Sequence, residues 1–168
     1  LALFFQPGDE ERIKKDGFQN SVCVDSSILW EGIKIIRTGG QHGSGKILEY
    51  MGKVSGFVLQ AEGEPTLYWA GDSIWCKEVE EVIKNFHPDI IIAHTGGAVK
   101  PGFDPIIMNM EQTFQLIKAA PESKVVAIHM EALDHCTVTR RALRLSADKQ
   151  GISHDQLIIP EDGETISF

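Results

Sequence analysis

From residue 74 onward the hydrophobic pattern switches back and forth between a helical period and short unbroken apolar runs, and this constrains the fold more than any other feature of the chain. Val79, Val82, Ile83 and Phe86 fall at i, i+3, i+4 and i+7, with Glu78, Glu80, Glu81 and Lys84 facing the other way. That spacing predicts an amphipathic helix, ended by Pro88. Ile90-Ile91-Ile92-Ala93 is short, β-branched and continuously apolar, as a strand covered on both faces is. The cycle then repeats. Asn109, with Gln112 three residues on, is placed to cap a helix carrying Met110, Phe114 and Ile117, and Val125-Val126-Ala127-Ile128 is the next buried strand. A third helix, over about 139–150, stops at Gly151, and Leu157–Ile159 and Ile166–Phe168 read as closing strands. Alternation of this kind is satisfied by a sheet with helices packed on it, so the chain is α/β.

The region before residue 74 reads as strands and turns. Val22–Val24 and Ile33–Ile36 are strand-like, separated by the turn material Asp25-Ser26-Ser27 and Glu31-Gly32. Residues 54–61 and 66–70 are β-prone runs joined by Glu62-Gly63-Glu64-Pro65, the pattern of a hairpin. A short exposed helix is predicted after Gly8, ending at Gly17. Leu1-Ala2-Leu3-Phe4-Phe5 resembles the inside of a buried strand more than a terminus, which leads us to expect further sequence upstream. With 168 residues, 42% of them hydrophobic, there is material for one domain with its own core.

Charge narrows the partners. Acidic residues number 24 against 16 basic ones, for a net charge of -8, which gives no footprint for nucleic acid or anionic membrane. Arg140, Arg141 and Arg144 read as a solvated helix face. Cys23, Cys76 and Cys136 form neither an even disulfide framework nor a CxxC pair, so a cytoplasmic protein is expected. Cys76 and Cys136 read as small buried hydrophobes in preference to thiolate ligands or nucleophiles. No apolar run approaches the roughly 20 residues of a membrane span.

The candidate chemistry lies just after the apolar strands. His42 follows IKIIRTGGQ, Asp72 follows TLYWAG, His94 follows DIIIA and His129 follows KVVAI. Strand ends in α/β proteins line one edge, where ligands bind, so four side chains suited to metal ligation are expected at one cleft. Alternatives stay open for each. Asp72 either bridges cations or caps the following helix, and the glycine-rich loop around His42 is either shaped for a ligand or simply flexible. His135 with Asp134 reads as a turn surface, and His87 and His154 as surface residues.

In their order, TGGQHG at 38–43, YWAGDS at 68–73, IIAHTGGA at 91–98 and AIHME at 127–131 resemble the motifs of the metallo-β-lactamase-fold metal-dependent hydrolases, in particular the branch with the ascorbate-phosphate lactonases. The resemblance runs over essentially the whole chain. It implies the C-terminal half of a four-layer αββα sandwich, with His42, Asp72 and His129 as metal ligands. Asp72 would be shared by two cations, zinc or alternatively manganese, and His94 would act in catalysis near the substrate. The implied reaction is hydrolysis of a small ester, lactone or phosphoester by a metal-bound hydroxide. The family's HxHxDH motif, which supplies most of the other ligands, is not found among these 168 residues. A complete dinuclear site is therefore expected to need residues of the N-terminal half. Without that half, the uncovered sheet face predicts a homodimer or higher oligomer, and a non-catalytic, dimerising remnant is the alternative function. A calcineurin-like phosphoesterase finds no GNHE-like or GHxH-like motif here. His94-Thr95-Gly96-Gly97-Ala98 matches neither a dinucleotide fingerprint nor a P-loop.

Overall fold

The computed structural model describes residues 2–131 and 133–168; Leu1 of the apolar start and Ala132 of the His129–His135 segment lie outside them. In chain order the strands are β1 (Leu3–Phe5), β2 (Ser21–Cys23), β3 (Ser27–Trp30), β4 (Ile33–Thr38), β5 (Gly56–Gln60), β6 (Leu67–Trp69), β7 (Ile90–His94), β8 (Lys124–Ile128) and β9 (Leu157–Ile158). The helices are α1 (Glu10–Lys15), α2 (Leu48–Met51), α3 (Lys77–Phe86), α4 (Met110–Ala119) and α5 (Arg140–Lys149). Strands β3 to β9 form one seven-stranded sheet in sequence order, while β1 and β2 pair in parallel as a separate ribbon. The sheet has two halves. From β3 to β6 it is an antiparallel meander; from β6 to β9 it is parallel, with α3, α4 and α5 as the crossovers.

Local chemistry accounts for most boundaries. Glu31 and Gly32 both have positive φ, 47° and 85°, the backbone of a tight hairpin turn matched to strand twist. This turn joins β3 to β4, and Ser27, part of the turn material expected between the strands, is the first residue of β3. Helix α3 begins at Lys77, two residues before the first apolar residue of its spacing, and the Ile74 N–H ahead of it donates to Gln41 O at 2.8 Å. It ends at His87, in the left-handed conformation just before Pro88. The Asn109 cap forms in full: Gln112 N–H donates to Asn109 Oδ1 at 2.9 Å, and Asn109 N–H donates to Gln112 Oε1 at 3.3 Å. Asn109→Ala is expected to lower stability by about 1 kcal/mol, read as a fall in the urea midpoint at unchanged slope.

Two expectations are corrected. Ile166–Phe168 forms no strand; the Phe168 ring instead packs under Lys124 Nζ, 5.5 Å from its centroid. Nor are Arg140 and Arg144 a solvated face, since their side chains are only 18% and 17% exposed. Arg140 donates to Glu131, Asp162 and the Pro160 carbonyl, and Arg144 to Asp148 and the carbonyls of Leu157 and Ile152. These guanidiniums tie the C-terminal tail to α5. The cavity of about 530 Å³ that they line also contains Glu131, Glu161 and Glu164, so it is charge-compensated and offers no anion site. Arg140→Met is expected to cost about 1–2 kcal/mol, at the lower end for bonds to charged groups because its carboxylate partners are exposed. Thermal unfolding of the variant checks this.

The pleat sorts the sheet into two faces. Ile36, Val58, Tyr68, Ile91, Val125 and Leu157 are successive cross-strand neighbours, and all belong to the core under α3, α4 and α5. The adjacent row, Phe57, Trp69, Ile92, Val126 and Ile158, points the other way. That face is apolar yet incompletely covered, with Trp69 46% exposed. Among the described residues no helix is long and apolar enough to cross a membrane.

Candidate metal centre

The strand edge gathers the four side chains expected there, with Asp72 at the middle. Asp72 leaves β6 through Gly71, whose φ of 68° turns the chain. Its Oδ1 lies 2.6 Å from His94 Nδ1 and 3.7 Å from His129 Nε2, and its Oδ2 lies 4.0 Å from His42 Nε2. Of the four, the Asp72 side chain is the most open, at 37% exposure against 13–28% for the histidines, so the carboxylate faces an approach from solvent. The competing cap role is not used: the N-cap of α3 is Cys76, with no side-chain cap bond.

Each histidine is delivered by its own device. The loop carrying His42 is pinned to the Asp72 segment by Gln41 N–H donating to Ser73 Oγ at 3.0 Å, and Gln41 Nε2 donates to the Glu78 carboxylate. Gly43 needs its glycine twice over, with φ at 97° and a hypothetical Cβ only 2.5 Å from Ile47. His94 is the last residue of β7. His129 follows β8 with φ at 61°, and Glu131 shares this left-handed backbone at 64°. A non-glycine residue there costs about 1–3 kcal/mol and is characteristic of functional sites. Glu131 is held by Arg140, which fixes the turn beyond His129.

Electrostatics favour a cation. Hydrogen bonding from His94, aided by the other histidines, holds the Asp72 carboxyl below the usual carboxylate range despite partial burial. Burial lowers the His42 imidazole below its ordinary value, and the opposing attraction of Asp72 is smaller. A neutral His42 keeps a lone pair for a ligand. Burial pushes the thiols of Cys76 and Cys136 up, against thiolate chemistry.

His135 stands on a turn beside Asp134, and His154 is exposed near Asp148; His87 caps the C-terminus of α3. Two neighbours of the centre escaped the sequence reading. Trp69 Nε1 donates to His94 Nε2 at 3.1 Å, and Cys136 Sγ lies 3.8 Å from His129 Nδ1. Trp69 lies inside the YWAGDS motif, two residues before Gly71, but its shared face with His94 follows from the β6–β7 register, which pairs Trp69 with Ile92. Cys136 carried no such signal. Beside Asp72 a cavity of about 380 Å³ is lined by Phe4, Phe5, Phe57 and Ser55.

A seven-stranded sheet with α3, α4 and α5 packed on one face and a histidine–carboxylate cluster at its strand ends is consistent with the metallo-β-lactamase-type α/β sandwich. Residues 19–130 match the family model described as the beta-lactamase superfamily domain, and the chain belongs to that superfamily. It is 35% identical over 170 residues to the UPF0173 protein YddR of Bacillus subtilis (strain 168), covering 100% of this chain and 66% of that protein. Among solved structures it resembles the isothiocyanate hydrolase from Delia radicum gut bacteria, with 35% identity, a TM-score of 0.94, and coverage of 100% of this chain and 67% of the other. A possible metal-dependent hydrolase from Veillonella parvula DSM 2008 is similar at 33% identity and a TM-score of 0.95, with the same coverage. The chain thus spans about two thirds of the length of these relatives.

Proposed function

We propose that this chain is the greater part of a metal-dependent hydrolase acting on a small electrophilic substrate, with His42, Asp72 and His129 holding metal. The spacing around Asp72 carries the reading. Two ligands each about 2.1 Å from one ion sit about 3.4 Å apart at a tetrahedral angle. His129 Nε2 and His42 Nε2 stand 3.7 and 4.0 Å from the two oxygens of Asp72, too far for hydrogen bonds and close to that ligand spacing. His94 Nδ1, at 2.6 Å, is at hydrogen-bond length instead. Although Asp72, His94 and His129 bring potential ligand atoms within 4.8 Å of one another, these distances favour His94 as the residue that orients Asp72, with His42 in the ligand set.

When bound, a zinc or manganese ion supplies Lewis acidity and lowers the pKa of a coordinated water toward about 7. The chain's own residues do the rest. His94 fixes the carboxylate plane, the ionised Asp72 is placed to accept a proton during turnover, and the open pocket beside it, lined by Phe4, Phe5 and Phe57 together with Gln6, Asp9 and Lys53, gives a substrate access to the carboxylate. We propose that the remaining ligands come from residues beyond these 168, laid over the open sheet face; a homo-oligomer would cover the same face. Small esters, lactones and phosphoesters fit such a centre. The similar isothiocyanate hydrolase adds the heterocumulene carbon to that class, since there too water attacks an electrophilic carbon.

The test is zinc and manganese titration of the natural full-length polypeptide and of its His42→Ala and His129→Ala variants, followed by turnover on a lactone, a phosphodiester, an aryl ester and an aryl isothiocyanate. We expect metal-dependent turnover of at least one substrate, lost in both variants together with metal. Variants that keep full metal occupancy would remove these residues from the ligand set.

A further inference from the structure

Trp69 takes no part in the chemistry proposed above, yet its indole Nε1 is 3.1 Å from His94 Nε2. An indole N–H donates and never accepts, so His94 Nε2 is the acceptor and bears no proton. The single proton of a neutral imidazole then sits on Nδ1, where it is donated to Asp72 Oδ1 at 2.6 Å. Both ring nitrogens are engaged, each in the role its partner's chemistry dictates. Sheet register makes this possible. Trp69 pairs with Ile92 across β6 and β7, and the strand period of two puts residues 69, 92 and 94 on one face. The indole therefore reaches His94 along the diagonal open to long aromatic side chains. The remaining surface of the His94 ring rests on His129, with centroids 4.9 Å apart and planes at 35°.

We infer that Trp69 is a positioning residue: its N–H anchors the far side of the His94 ring, so that Nδ1–H is held on Asp72 and the carboxylate stays fixed for His42 and His129. The inference rests on the proposed ligand set, which assigns His94 the orienting role. Asp72 alone offers His94 one hydrogen bond, about which the ring is free to swing. A second bond at the opposite nitrogen removes that freedom. Loss of an outer partner of this kind typically weakens metal binding by about 10- to 100-fold.

The experiment is long-range 15N–1H NMR of the histidine rings in the metal-free full-length polypeptide at about pH 8, where unperturbed imidazoles are neutral, together with zinc affinity by competition, for wild type and Trp69→Phe. Phenylalanine keeps an aromatic ring and removes the donor. In the wild type we expect His94 to carry its proton on Nδ1 with slow solvent exchange. In Trp69→Phe the Nδ1–H signal should broaden or vanish, and zinc affinity should fall about ten-fold with the circular dichroism spectrum unchanged. A proton on His94 Nε2 in the wild type overturns the inference without any variant, as does a folded Trp69→Phe protein with unchanged Nδ1–H signal or unchanged zinc affinity. Wild-type protein that takes up no zinc refutes the metal reading instead, and the Nδ1–H signal then decides the anchoring on its own.

Discussion

Asp72→Ala is expected to abolish metal-dependent turnover and to lower metal affinity by at least two orders of magnitude. Asp72 meets all three histidines: one oxygen faces His94 and His129, and the other faces His42. Removing the carboxylate takes away the negative charge placed among the three imidazoles, and with it an anionic oxygen ligand for the cation. Asp72→Asn separates charge from shape. It keeps an oxygen for His94 to bond but supplies no anion, so the fold and the His94 contact should persist while metal affinity falls nearly as far as in Asp72→Ala. Isothermal titration with zinc checks both variants. Retained metal and turnover in Asp72→Ala would remove Asp72 from the centre.

Gly96→Ala is expected to damage the centre from behind. A Cβ on Gly96 would sit 2.1 Å from the carbonyl oxygen of His129 and 3.0 Å from Cys136 Sγ. The nearest obstacle is backbone, which has no rotamer to relieve it, so the strand end and the His129 turn must separate. Overpacking of this kind costs about 1–3 kcal/mol and sometimes more. Here the displaced residue is a proposed ligand already on a left-handed backbone, so zinc affinity should fall at least ten-fold along with the melting temperature. Adding Cys136→Ala relieves the sulfur contact but not the carbonyl, and should rescue neither quantity. A double variant restored to wild-type zinc affinity would show that the crowding is at sulfur.

The parallel half of the fold was readable because its strands are continuous apolar runs and its helices carry period and caps, from Val79 to Phe86 and at Asn109. The antiparallel half was harder. Strand β3 is an edge strand with most of its side chains exposed, so burial left no alternation in Ser27–Trp30 to find, and the Glu31-Gly32 turn was the only cue. Ile166–Phe168 misled in the opposite sense, its apolar residues serving a side-chain contact to Lys124. Arg140 and Arg144 read as surface because charge in a sequence does not reveal the tail carbonyls and carboxylates that receive it. The centre itself was legible as four strand ends. What the sequence could not carry was the order of contacts around Asp72, which depends on loop geometry: 2.6 Å to one histidine, ligand-like spacing to the other two.

The central claim is that His42 and His129 hold metal on either side of a shared Asp72 while His94 stays beside it. The most direct measurement is a crystal structure of the zinc-loaded full-length polypeptide with anomalous data at the zinc edge. The account predicts two anomalous peaks, one about 2.0–2.2 Å from His42 Nε2 and the other about 2.0–2.2 Å from His129 Nε2, each at ligand distance from Asp72, with His94 Nδ1 still donating to Asp72. A peak ligated by His94 in place of His42, or no peak at this strand edge, would contradict it.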